Sequence, residues 1–292
     1  LDRLTRVYEY MGPAWYQREI EIPAAWKGKR IFLYFERTHW LSSVYVGKEE
    51  VSKIDYISIP HNHELTQWLH PGKKELITFC IDNRYQYDTH KWDHAHSEFT
   101  QINWNGVLGE IKLVAVDPVY VDDMQVYPDI KNKSIKVKMT VRNCTEHTAS
   151  GKISFHVTGK DYRLQKEVPV TVTDSITYIE EEMFLGKDIH LWNEFHPNLY
   201  TLDCKLTSSV EGQSYAHEKS TTFGMREVEA GEDHIILNGE PIHLRGTVEN
   251  AVFPKTGYAP VDDASWERVL RILKEYGMNH MRFHSWCPPA AA

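Results

Sequence analysis

The side chains best suited to chemistry gather in two stretches of this sequence. Near its end, Asn279-His-Met-Arg-Phe-His-Ser285 reads as a β-strand. Alternation puts Arg282, His284 and Trp286 on one face of it and Met281 and Phe283 on the other. A guanidinium beside an imidazole can hydrogen-bond hydroxyl groups or hold a carboxylate ionised through a charge-assisted bond. The same Arg282 can equally be a buried residue that orients a neighbour. In the first third of the chain, His39-Trp40, the run His90-Lys-Trp-Asp-His-Ala-His-Ser-Glu98 and the following Trp104 occupy loop-like positions. Trp40, Trp92 and Trp104 offer flat rings that stack on sugars, or ordinary cover for a sheet edge. His90, His94 and His96 are of a type that ligates zinc, but no firm helix or strand pair converges them. No metal or other cofactor is expected.

Composition narrows the function classes. The 292 residues include 33 Lys+Arg against 41 Asp+Glu, a net charge of −8 that repels phosphate backbones, and no basic face is clustered enough to overcome it. Nucleic acid is therefore not an expected partner. Hydrophobic residues make up 41% and charged residues 25%, which sets aside disorder and collagen. No uncharged apolar run reaches the ~18 residues of a membrane span. Cys80, Cys144, Cys204 and Cys287 lie far apart without a C-x-x-C spacing, so neither a zinc ribbon nor a redox pair is indicated. Asn132-Lys-Ser134 and Asn143-Cys-Thr145 fit the N-glycosylation pattern. The sequence starts at Leu1 without an initiator Met or signal peptide and stops at Pro288-Pro-Ala-Ala-Ala292, so it reads as a processed or truncated piece. A periplasmic or secreted location is expected if an export signal was removed, a cytoplasmic one remaining open.

The elements that must position these residues are mostly short strands. Residues 16–22, 30–35, 43–46, 75–81 and 109–114 alternate between turn signals, as a jelly-roll sandwich over 1–117 would. Asp117-Pro118 makes a natural seam. Residues 135–141, 152–157, 167–172 and 199–206 repeat the pattern, and about seven strands in ~100 residues suggest an immunoglobulin-like sandwich over 118–224. Asn238-Gly239 then marks a type I′ hairpin. Asp262 or Asp263 caps a helix whose Trp266, Val269, Leu270 and Leu273 form one apolar stripe, closed by Gly277. With the strand at 279–285 this makes one βαβ unit within 225–292, a mainly β chain thus ending in the start of a parallel sheet.

Several stretches together resemble glycoside hydrolase family 2, the β-galactosidase, β-glucuronidase and β-mannosidase group. They are Gly12-Pro-Ala-Trp-Tyr-Gln-Arg18, Ser43-Val-Tyr-Val-Gly47, Asp82-Asn-Arg84 and Asn105-Gly-Val-Leu-Gly-Glu-Ile-Lys-Leu113. Further on come Leu191-Trp192, Pro197-Asn-Leu-Tyr200, Phe223-Gly-Met-Arg226, Leu237-Asn-Gly-Glu-Pro-Ile-His-Leu-Arg-Gly246 and Leu273-Lys-Glu-Tyr-Gly-Met-Asn-His-Met-Arg282. The order of these pieces runs through essentially the whole chain.

The resemblance implies a sugar-binding jelly roll, an immunoglobulin-like domain and the first βαβ of a catalytic (β/α)8 barrel, which needs about 250 residues to close. It implies a retaining, exo-acting β-glycoside hydrolase, β-galactosidase being the first guess, with a carbohydrate substrate and a possible homo-oligomer. Retaining hydrolysis uses two carboxyl groups about 5–5.5 Å apart. The family's pair comes from later barrel strands, beyond Ala292, so this chain by itself is expected to be inactive. Glu249, with Asn250 beside it, is the one carboxylate expected at the catalytic face. The run Arg282-Phe-His-Ser-Trp-Cys-Pro288 departs from the family's Arg-x-Ser-His-Tyr-Pro, exchanging His and Ser, which suggests a different glycone. The rival reading is a non-catalytic carbohydrate-binding or adhesion module.

Overall fold

Period-2 alternation of apolar and polar side chains is realised as strand after strand, and the chain is mainly β. The computed structural model describes residues 10–57, 59–84, 86–88, 104–253, 255–284 and 286–292. Two compact units divide the chain, Leu1–Ala115 with Leu244–Ala292, and Val116–His243.

In the first unit, seven strands run in chain order: β1 (Pro13–Glu21), β2 (Arg30–His39), β3 (Leu41–Val46), β4 (Glu49–Asp55), β5 (His61–Glu64), β6 (Lys74–Asp82) and β7 (Gly106–Val116). They pair as one sheet ordered β1-β6-β3-β4 and a second ordered β5-β2-β7. Ile31, Leu33 and Phe35 of β2 share a core with Val44 of β3 and Ile77 and Ile81 of β6, so the two sheets bury a common layer. Neither β4 nor β5 is evident from alternation alone. The reason in β5 is chemical: its inward positions are His61 and His63, both fully buried.

The second unit holds β8 (Val119–Asp129), β9 (Ser134–Asn143), β10 (Ala149–Gly159), β11 (Tyr162–Val172), β12 (Ile176–Phe184), β13 (Tyr200–Val210) and β14 (Gln213–Phe223). Sheets ordered β12-β9-β8 and β11-β10-β13-β14 enclose a large apolar core, in which Ile135, Val137, Met139 and Val141 of β9 are almost wholly buried. Asn143 ends β9 as a structural residue. Its side-chain amide donates to the carbonyls of His147 (2.9 Å) and Val172 (3.2 Å), and its oxygen accepts from the Thr145 backbone N–H (3.0 Å). At 3% exposure it presents no free amide to a glycosylating enzyme, whereas Asn132 stands in an exposed turn bonded to Asp129. The unit closes with β15 (Val228–Ala230), β16 (Ile235–Leu237) and β17 (Glu240–Ile242), the last two joined by Asn238 and Gly239 at φ 53° and 86°, as a type I′ turn demands.

The chain then returns to the first unit as β18 (Gly246–Glu249), α1 (Asp263–Glu275) and β19 (His280–Phe283). β18 and β19 are parallel neighbours, with Val248 opposite Arg282 and Glu249 opposite Phe283. Asp262 caps α1 by accepting from the Ser265 backbone N–H (2.8 Å). At the other end Gly277 (φ 74°) lets Met278 N–H reach the Leu273 carbonyl (3.0 Å), the Schellman closure the glycine foretells. Trp266 anchors the stripe at 1% exposure in a cluster with Leu108, Ala251, Ala259 and Trp286, joined by half-buried Ile57, Trp104, Phe253, Met281 and Phe283. No helix among the described residues is long and apolar enough to cross a membrane.

Candidate functional site

The sequence-nominated polar residues meet at the C-terminal ends of β18 and β19. Glu249 is fixed through its main chain, since its carbonyl accepts from the His284 backbone N–H (2.9 Å) and from the Trp286 indole N–H (3.2 Å). Its carboxylate turns back on the following segment and accepts from the Ala251 N–H (2.7 Å). Ala251 adopts a left-handed φ of 56°, and the short curl from Asn250 to Val252 aims backbone N–H groups at the carboxylate. Burial pushes the Glu249 carboxyl above its usual range, and those N–H groups hold it back. Its Oε2 is buried and finds no hydrogen-bond donor among the described residues.

Arg282 and His284 form a pair. The guanidinium Nη2 donates to His284 Nδ1 at 2.7 Å, and because Arg has no acceptor, Nδ1 must be the unprotonated nitrogen. Arg282 is exposed and His284 half-buried, while Met281 and Phe283 turn toward the apolar cluster, as alternation predicts. The alternation does not extend to Trp286, and here the expectation is corrected. The strand ends at Phe283, and the Trp286 ring lies 7% exposed against Phe283, edge to face at 5.5 Å. Trp286 is a core residue that braces Glu249; it does not share the Arg282–His284 face.

The tryptophans of the first sandwich divide similarly. Trp40 is buried at 5% exposure, its backbone N–H on the Asp82 carbonyl (3.3 Å) and its ring 6.4 Å from Tyr87, so it offers no open stacking face. Trp104 is half-buried, packs on the His39 ring at 4.7 Å and joins the cluster containing Trp286. Its carbonyl accepts from His39 Nδ1 (2.6 Å) and from the Asn83 amide (3.1 Å). Trp92, with His90, His94 and His96, lies outside the described residues.

Three supports escaped nomination from the sequence. Asn83 ties three segments together, donating to the carbonyls of Tyr10 (2.9 Å) and Trp104 and accepting from Gly12 N–H (2.9 Å). Beside it Asp82 takes a bidentate bond from Arg84. Burial opposes the Asp82 charge, but Arg84 outweighs it and holds the carboxyl below its usual range. Glu36, 4% exposed, receives the backbone N–H groups of Glu110 (2.9 Å) and Ala290 (2.6 Å) and so clips the end of the chain onto the sandwich. Gly109 makes room for that carboxylate, because a Cβ there would stand 2.1 Å from Glu36 Oε2. The Asp82-Asn-Arg84 run was one sequence signal that could have led to this corner; Glu36 offers none, since its partners lie far away along the chain.

With this geometry in view, known proteins sharpen the reading. Residues 119–226 match the sequence model of Glycosyl hydrolases family 2. A β-galactosidase of Thermoanaerobacter pseudethanolicus is 24% identical over 277 residues, covering 94% of this chain and 36% of that protein. The β-glucuronidase of Sus scrofa is 22% identical over 271 residues, covering 82% of this chain and 39% of that protein. The solved structure of Bacteroides uniformis β-glucuronidase 2 superposes with a TM-score of 0.79 at 19% identity, over 97% of this chain and 34% of that one. The chain thus spans well under half the length of these glycosidases, and its likeness to them is one of fold and of family sequence.

Proposed function

We propose that this chain serves in a retaining, exo-acting β-glycoside hydrolase, as its sugar-binding jelly roll, immunoglobulin-like spacer and first βαβ of the (β/α)8 barrel. The observation that carries this is the placement of Glu249, Arg282 and His284 at the C-terminal ends of paired parallel strands, where barrel enzymes set their site residues. In this reading the Arg282–His284 pair donates to a sugar hydroxyl or holds an acidic group ionised, and Glu249, braced by Trp286, lines the same rim. Among the nominated tryptophans that the structure describes, Trp104 is the one with surface left for a sugar. A terminal β-galactoside is the first substrate class, and a β-glucuronide is second, because relatives bear both names and Arg282 could pair with a uronate carboxylate. A periplasmic or secreted location and a homo-oligomer belong to the same proposal.

Double displacement needs two carboxyl groups about 5–5.5 Å apart. Glu249 alone does not make that pair, so the chain by itself should turn nothing over. A panel of nitrophenyl β-glycosides tests this: release above the buffer rate would overturn the assignment. The rival reading, a carbohydrate-binding module without catalysis, separates by titration calorimetry with galactose and glucuronate. Arg282→Ala should weaken binding if the strand-end site holds the sugar. Binding unaffected by Arg282→Ala but lost in Trp104→Ala would favour the module.

A further inference from the structure

Inside the first sandwich lies a polar cluster that the carbohydrate reading does not use. Ser42, His61 and His63 are each fully buried, and Ser52 of β4 joins them. Ser52 Oγ lies 2.8 Å from His63 Nδ1, His63 Nε2 lies 2.9 Å from Ser42 Oγ, Ser42 Oγ lies 2.6 Å from His61 Nδ1, and His61 Nε2 lies 2.9 Å from the Tyr56 carbonyl.

The protons in this chain can be placed by elimination. A carbonyl only accepts, so His61 Nε2 carries a hydrogen, and with the ring neutral its Nδ1 must accept from the Ser42 hydroxyl. Having given its one hydrogen, Ser42 must accept from His63 Nε2–H, which leaves His63 Nδ1 to accept from Ser52. Every link therefore points the same way, from Ser52 to the Tyr56 carbonyl.

A proton added at His61 Nδ1 would face Ser42 with two N–H donors and leave the serine hydrogen without an acceptor in the chain. A proton added at His63 Nδ1 would turn the Ser52 link around. The surroundings offer little compensation. From β2 the neighbours are Leu33 and Phe35, the Phe35 ring 5.3 Å from that of His63. From β3 and β4 come Ser42 and Ser52, and the one carboxylate acting on His61 is Asp55, whose Oδ2 accepts from the Tyr87 hydroxyl at 2.7 Å while its buried Oδ1 has no hydrogen-bond partner among the described residues; its pull on His61 is outweighed by burial. For His63 the other charge-bearing group is His61 itself.

We propose that this one-way chain is an acid-sensitive latch: proton uptake by either imidazole breaks its order at the serines of β3 and β4, parts β5 from them, and carries the Tyr56 carbonyl, still held by His61 Nε2–H, and the adjacent Ile57 away from the cluster shared with Trp104, Trp266 and Trp286. The latch would couple pH to the packing of β18 and β19 on the sandwich, since Ile57 belongs to the same cluster as Met281 and Phe283. Burial lowers both imidazoles, His63 to about 3. Their contribution to stability is thus fully present above the unfolded value of about 6.5 and is lost as pH falls from there toward the folded values.

Histidine side-chain nitrogen NMR on the whole chain tests the proposal directly. Both rings should show the Nε2–H tautomer and flat shifts from pH 8 to pH 5, with native signals then lost together. A Nδ1–H tautomer in either ring, or an ordinary titration near pH 6.5 with the native spectrum intact, overturns it. Hydrogen exchange by mass spectrometry adds the latch: between pH 7 and pH 5, after correction for intrinsic rates, peptides around Ile57 and 280–288 should lose protection before those of 119–226. Simultaneous loss in both regions would overturn the coupling. In the double variant His61→Phe, His63→Phe, the unfolding equilibrium should lose up to about tenfold of acid sensitivity per pH unit for each ring removed. Unchanged sensitivity in that variant counts against the latch, and if it does not fold the NMR result on the unaltered chain still decides.

Discussion

The two sandwiches bury very different material. In the second unit the described core is apolar from Val119 to Met225, and its buried polar side chains are Ser134, Asn143 and Ser208. In the first, Glu36, Thr38, His39, Ser42, His61, His63, Asp82 and Asn83 are all buried within a single stretch of the chain. Burying a polar group costs free energy unless a partner replaces water, and most of these groups have one at a defined distance. The contrast separates two ways of holding a sandwich together: an apolar core packs without direction, whereas directional bonds fix loops and strand ends that apolar contacts would leave free to slide.

The widest gap should appear on emptying the dry core. Phe155, fully buried in β10, should cost about 3–5 kcal/mol when changed to Ala, read by denaturant unfolding of the second unit. A loss well under that range would mean the core collapses around the void and is less rigid than the contrast requires. Next comes the polar clip of the first unit. Glu36→Ala, which strands the N–H groups of Glu110 and Ala290, should cost roughly 1.5–3 kcal/mol and speed hydrogen exchange at Ala290. Equal exchange in the variant would show that the clip does not hold the chain end.

Asn143→Ala is the exception that probes the dry side, because it removes one of that unit's few buried polar groups. The two carbonyls it leaves behind should cost about 1–3 kcal/mol. In a secretory host that attaches N-glycans, peptide mass spectrometry should find sugar on Asn132 and none on Asn143. Smallest is a pH effect at the strand-end site. The folded carboxyl of Glu249 is raised, so its stabilisation is present below its unfolded value and fades as pH rises through the folded one. Glu249→Gln should therefore gain melting temperature on the original chain at pH 7 relative to pH 4. The opposite order would mean that the backbone N–H groups outweigh burial.

Local pattern was the legible part. Strict alternation in β9, the Asn238-Gly239 turn and both caps of α1 are set by residues within a few positions of one another, and the structure has them where the sequence puts them. The pairing of Arg282 with His284 belongs here too, being two residues along one strand. Trp286 was misplaced because alternation says nothing about where a strand stops, and past Phe283 the apolar cluster claims the indole. β5 was missed because histidine at an inward position carries no apolar signal until its partners are known.

By itself, then, the sequence determined a mainly β chain with a single crossover helix, its family resemblance and the polar residues at the end of β19. Only the tertiary structure decided that Trp40 and Trp286 are packing residues, that Glu36 clips Ala290, and that two histidines share one ordered chain of hydrogen bonds. The physical reason is range: strand period, turn φ and helix caps are near-neighbour sterics, whereas the fate of a buried polar group depends on whichever distant group arrives to replace water.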